Sequence, residues 1–189
     1  MGRESAWDAV RMHVPPGVFG PGSRRPFADY FAGDSAVRVQ SIDDIVDWLQ
    51  HCEYVTDIEL FHERDVWQHP SAFEQSRRGD CEDFALWAWR KLAEIGVDAE
   101  FCVGRVATDS GAESFRQHAW VTFRLGETVF LFEPAARIRS RMIRELADAL
   151  DRYEPHFSVN HRFETRAFAG CMSDVRSSPP AGNDPVAAV

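Results

Sequence analysis

The sequence has no C-x-x-C pair. Its four cysteines, Cys52, Cys81, Cys102 and Cys171, stand far apart, which leaves a structural zinc site or a thioredoxin-type redox centre without local support. It also lacks a long hydrophobic run: the longest in the middle of the chain spans residues 84–89, far short of the roughly 20 a bilayer span requires. It has no basic excess, since 21 Lys and Arg against 30 Asp and Glu give a formal charge of −9. That balance argues against binding to a phosphate backbone, and no nucleic-acid or membrane partner is expected. What it does have is aromatics (12%) and apolar residues (44%) enough for one domain with a real core in 189 residues. The opening Met1-Gly-Arg-Glu-Ser-Ala-Trp-Asp places acids where a secretory signal has its apolar region. A cytoplasmic chain with reduced thiols is the expectation.

Residues 1–40 are rich in Pro and Gly and read as an irregular lead segment; residues 41–170 read as a single domain, and residues 171–189 as a disordered tail. A first helix should start at Ser41, where Ser41-Ile-Asp-Asp44 forms a capping box with Asp in place of Glu, followed by Ile42, Ile45, Val46 and Leu49 on one face. A short helix is expected around residues 71–75. The clearest helix runs from Asp80, as cap, to Gly96, and is apolar on most sides, with Arg90, Lys91 and Glu94 as a narrow polar strip. Strands are expected over residues 100–107, 117–125 and 128–133, the last two joined by a two-residue turn at Gly126-Glu127 and the third ended by Pro134. Residues 139–153 read as an amphipathic helix on Met142, Leu146 and Leu150, and residues 157–168 as a last strand. Helices first and an antiparallel sheet after make an α+β fold.

Cys81 falls at the first turn of the buried helix, where unpaired backbone N–H groups favour a thiolate and can stabilise an oxyanion. Its neighbours Asp80, Glu82 and Asp83 oppose this, because negative charges raise a thiol pKa. A helix end supplies only about 0.3–1 kcal/mol in exposed settings, too little against three acids. A nucleophilic Cys81 therefore requires a cation from elsewhere, usually a histidinium. His118 is the candidate. A two-residue turn pairs Leu125 with Thr128, puts Trp120 opposite Glu133 and His118 opposite Ala135, and leaves His118 and Glu133 as diagonal neighbours on one face, roughly 7–8 Å apart at their backbones. Glu133 can then hold one imidazole nitrogen while the other faces a thiol, which supplies nucleophile, base and orienter.

Three segments, Gly79-Asp80-Cys81-Glu82-Asp83-Phe84-Ala85, His118-Ala119-Trp120-Val121 and Phe132-Glu133-Pro134, resemble the transglutaminase-like cysteine proteins, and the bacterial branch of that superfamily in particular. Trp67-Gln68-His69-Pro70-Ser71-Ala72-Phe73 is similar to the aromatic-plus-Pro segment ahead of the family's cysteine. The resemblance covers about residues 41–136. It implies a papain-like core, with the cysteine helix packed on an antiparallel sheet, and thiol-mediated acyl transfer on peptide or protein amides by Cys81, His118 and Glu133. Water as acceptor makes a peptidase or amidase, and an amine makes a transglutaminase-type transferase. The family usually has Asp where this chain has Glu133. By the same resemblance Trp67 or Gln68 is a candidate oxyanion donor, and Asp80 and Glu82 are candidate calcium ligands. A cofactor-free enzyme is nonetheless the expectation, because calcium is scarce in cytoplasm and Asp80 is already assigned to the helix cap.

The alternative is a catalytically inactive interaction domain on the same scaffold, motivated by Glu133 and the acids around Cys81. A metal-dependent hydrolase ranks last, since His13, His51, His62, His69, His156 and His161 show no H-x-H or H-x-x-x-H spacing.

Overall fold

The computed structural model describes residues 7–108 and 114–169. The expected tail and Cys171 lie outside the described residues, as do residues 109–113.

Helix α1 (Ile42–Leu49) starts as its sequence dictates: the Ser41 hydroxyl accepts from the Asp44 N–H while the Asp44 carboxylate accepts from the Ser41 N–H. The strand β2 (Glu53–Tyr54), the short helix α2 (Asp57–Phe61), helix α3 (Pro70–Ser76) and the strand β3 (Arg78–Gly79) follow. Strands β2 and β3 pair in parallel, Tyr54 opposite Gly79, which fixes the chain just ahead of helix α4 (Cys81–Glu94).

Helix α4 is the centre of the core, with Leu86, Trp87, Ala88, Trp89 and Leu92 fully buried. Arg90 and Lys91 of its polar strip are not turned to water, whereas Glu94 is exposed. Arg90 donates to the carbonyls of Tyr30, Ala32 and Gly33, and Lys91 donates to Ser35, Val37 O and Glu94. The lead segment thus lies over that strip, and it adds Phe19, Phe27 and Tyr30 to the main core. It also supplies an edge strand, β1 (Ala9–Arg11).

The remaining strands are β4 (Asp98–Ala107), β5 (Phe115–Leu125), β6 (Thr128–Phe132), β7 (Ile143–Glu145), β8 (Tyr153–Asn160) and β9 (Thr165–Phe168). With β1 they form one seven-stranded sheet in the order β1-β9-β8-β4-β5-β6-β7, every neighbouring pair antiparallel. The β5–β6 turn is the expected one: Leu125 pairs with Thr128 and Val121 with Phe132, with Gly126 at φ +59. Side-chain alternation splits β5 as its sequence predicts. Ala119, Val121 and Phe123 meet α4 in the main core, and Trp120 joins Cys102, Leu131, Ala149 and Tyr153 in a second cluster.

Two expectations are corrected. Residues 139–153 are not an amphipathic helix but two short 3₁₀ turns (Arg139–Arg141 and Leu146–Asp148) around strand β7, because Ile143–Glu145 pairs with Phe130–Phe132 and extends the sheet. Residues 157–168 form parts of two strands rather than one, with β8 turning back into β9.

Candidate active site

Cys81 is presented by a tightly built junction. Val55 N–H donates to Gly79 O at 2.8 Å, and Asp83, in the first turn of α4, accepts from Gln68 N–H at 2.8 Å and from the Gln68 side-chain amide. Gly79 is required by this contact: a Cβ there would collide with the Asp83 carboxylate and lie 2.8 Å from the Gln68 amide nitrogen. The Cys81 side chain is half-buried, its Sγ 3.3 Å from Glu82 Oε2, and the Ala119 backbone N–H is near enough to favour the thiolate against the acids. The thiol therefore lies against the residue that immediately follows His118.

His118 is buried, and its Nε2 is 2.6 Å from Glu133 Oε2. The diagonal pairing expected from the hairpin is realised just past the end of β6, where Met142 O fixes the Glu133 N–H at 2.6 Å. The other ring nitrogen, Nδ1, is buried with no hydrogen-bond partner among the described residues. Strand alternation places the His118 ring on the Trp120 side of the sheet, stacked at 6.3 Å between ring centres, whereas α4 packs on the Ala119 side. His118 and Cys81 nonetheless both line one cavity of about 590 Å³. A residue that sequence reasoning missed completes the group: the Tyr153 hydroxyl donates to Glu133 Oε2 at 3.0 Å. Tyr153 fell inside the helix expected over 139–153, and nothing local in the sequence marks its partner.

The electrostatics match the sequence argument. Burial, then the charges of Glu82 and Asp80, push the Cys81 thiol well above its ordinary range. The acids extend beyond the motif: Asp57, Asp65, Asp80 and Glu82 line the same cavity as Cys81. Burial and the proximity of Asp80 push Asp57 up to about 6, and burial also raises Glu82 and Asp83 well above the carboxylate range. Carboxylate oxygens of Asp57, Asp65 and Glu82 lie within 4.8 Å of one another, as do those of Asp57, Asp80 and Asp83. Among the described residues, Asp57 Oδ1 and Asp80 Oδ1 are buried with no hydrogen-bond partner. Asp80 occupies the N-cap position of α4 but its side chain makes no capping bond, contrary to the role expected of it. Crowded, partly unsatisfied carboxylates of this kind suit a hard divalent cation, which would hold them by oxygen alone.

Of the two oxyanion candidates, Trp67 lines the Cys81 cavity and its indole N–H donates to Asp65 Oδ1 at 2.8 Å. The Gln68 amide is engaged by Arg78 O at 2.9 Å and by Asp83. Either would have to exchange these bonds to meet an oxyanion. Cys52 and Cys102 are buried away from this group and free, as the core thiols they were expected to be.

A buried helix that opens on a cysteine, packed on an antiparallel sheet whose adjoining strands bring up a histidine and an acid, defines a papain-like α+β fold of the transglutaminase-like type. The profile of the bacterial transglutaminase-like cysteine proteinases matches residues 30–135, more than half of the chain. The chain belongs to that family. Among solved structures, Legionella pneumophila LapG is similar with a TM-score of 0.51 at 19% identity, over 84% of this chain and 85% of that one. The calcium-bound form of the same Legionella protein gives 0.52 at 18% identity, over 79% and 81%. No curated protein matches the chain. Among the described residues no helix is long and apolar enough to cross a membrane.

Proposed function

We propose that the chain is a thiol-dependent acyl-transfer enzyme acting on peptide amide bonds, with Cys81 as nucleophile, His118 as general base and acid, and Glu133 as the group that orients the imidazole. The observation that carries this reading is the state of His118: one nitrogen is tied to a carboxylate at 2.6 Å, the other is buried with no partner among the described residues, and the residue lines the cavity that also holds Cys81. In the forward step the Cys81 proton passes to His118 Nδ1 and the sulfur attacks the amide carbonyl carbon. The N–H groups of the first turn of α4 meet the developing oxyanion, with Trp67 or Gln68 as side-chain donors after exchange of their present bonds. His118 then protonates the leaving amine and a thioester on Cys81 remains. Water releases the acid and makes the enzyme a peptidase; an amine acceptor makes it a transferase. Intact-mass spectrometry after exposure to a peptide thioester tests this. A single acyl adduct on Cys81, absent in Cys81→Ser and cleared by water or an added amine, is the expected result. No adduct at any pH would leave the interaction-domain reading in its place.

The raised Cys81 thiol favours a second element of the proposal. A calcium ion held by Asp57, Asp65, Asp80 and Glu82 would supply the positive charge these acids lack and so favour the thiolate. The support within this chain is the pair of buried, unpartnered oxygens on Asp57 and Asp80; the calcium-bound neighbour extends the reading to a named ion. Calorimetric titration with calcium measures it, and the affinity bears on compartment. A cytoplasmic chain needs micromolar or tighter binding, whereas extracellular modules load at about 10⁻⁴–10⁻³ M.

A further inference from the structure

His118 stands between two cavities of opposite charge. The one that holds Cys81 is lined by acids. The second, about 500 Å³, shares His118 and Tyr54 with it, and is lined by Glu133 and Tyr153 together with Arg116, Arg137, Arg141, Arg144 and Arg152. In a chain of formal charge −9, five arginines thus line one cavity that His118 also lines. Glu133 is the only acid among the lining residues, and its Oε2 is already committed to His118 and Tyr153. No ion pair involves Arg116, Arg137 or Arg141 among the described residues, whereas Arg139, two positions from Arg137, is paired with both Asp43 and Asp47. The charges of Arg116, Arg137 and Arg141, gathered without ion-pair partners among the described residues, repel one another, and a bound anion relieves that repulsion. Guanidinium is also the group best shaped to take a carboxylate through two parallel hydrogen bonds.

We infer that this cavity is a substrate subsite for acidic side chains, so that the peptide processed carries Asp or Glu on the Glu133 side of the bond that Cys81 attacks. This rests on the acyl-transfer reading for its placement of the scissile bond, and it adds the substrate class. A pocket that adjoins His118 takes part of the substrate chain; a nucleic acid would need a basic track along the surface, which a chain of this net charge does not offer.

The test uses the full chain carrying Cys81→Ala, so that binding is read without turnover. The probes are two rhodamine-labelled pools of short Ala/Gly peptides, one with a Glu-Glu pair at every position in turn and the other with Gln-Gln, followed by fluorescence anisotropy at low salt. The Glu pool should bind about tenfold more tightly, as charge-assisted hydrogen bonds imply. Arg137→Gln/Arg141→Gln should abolish the difference, as should about 0.5 M salt. Both arginines are exposed, so the double variant keeps the fold, which its melting curve verifies. Equal affinity for the two pools, no binding of either, or a preference that survives the arginine changes would overturn the inference. So would inorganic phosphate that displaces the Glu pool while free glutarate does not, since the pocket would then be a phosphate site. Failure here leaves the thioester adduct on Cys81 untouched, and failure of the adduct leaves this binding difference measurable.

Discussion

Tyr153→Phe isolates one bond at the centre of the site. The phenol donates to Glu133 Oε2 at 3.0 Å, and that oxygen also receives His118 Nε2. Burial and the Glu133 charge push the Tyr153 hydroxyl above its ordinary range, so it is a protonated donor near neutral pH. The variant keeps the ring, which packs edge-on against Trp120 at 5.2 Å between centres, and removes only the donor. A hydrogen bond to a charged group contributes about 1.5–3 kcal/mol. Glu133 retains its bond to His118, so the loss should sit near the lower figure, and for a chain of this size it should lower the Tm by about 3–6 °C. The carboxylate would also lose the contact that fixes its orientation, and with it the orientation of the imidazole. The rate of iodoacetamide reaction at Cys81 should fall about tenfold, the equivalent of about 1.4 kcal/mol. Scanning fluorimetry and a timed alkylation read by intact mass give the two numbers. A melting temperature and an alkylation rate both equal to those of the parent chain would refute the assignment of Tyr153 as the positioning residue for Glu133.

Two further predictions concern the frame. Gly79→Ala drives a Cβ into the Asp83 and Gln68 side chains, and overpacking of this kind costs about 1–3 kcal/mol; urea unfolding should show it, together with slower Cys81 alkylation as the start of α4 shifts. Glu74→Gln removes one of the two carboxylates on Lys91, 3.3 Å away, and with Glu94 still in place should cost about 1.5–3 kcal/mol at pH 7. Burial pushes the Glu74 carboxyl up, but hydrogen bonds from Ser35 and Trp87 and the Lys91 charge outweigh it and hold the carboxyl below its ordinary range. Its contribution is therefore complete above about pH 4.3 and is lost as pH falls through the lower folded value, so parent and variant should converge in acid.

Where a feature depends on residues adjacent in the chain, the sequence was enough to read it. The Ser41 capping box needs only four residues, and the β5–β6 register follows from a two-residue turn that admits one parity. That parity brings His118 to Glu133. The stretch from 139 to 153 was misread because Met142, Leu146 and Leu150 recur at helical spacing, while the partner that makes Ile143–Glu145 a strand lies in β6. Asp57, Asp65 and Tyr153 escaped for the same reason: each reaches the site from another part of the chain, with no local pattern to announce it. Arg90 and Lys91 were read as a polar strip, and only the path of the lead segment shows why a lysine can be wholly buried there.

The account depends on His118 acting on the Cys81 thiol. The most direct measurement is the second-order rate of Cys81 alkylation by iodoacetamide near pH 7, for the parent chain and for His118→Ala. The rate should fall by about a hundredfold or more when the imidazole is removed, the smallest effect expected of a positioned base. A rate indifferent to His118→Ala would contradict the account, because the thiol would then react without the imidazole.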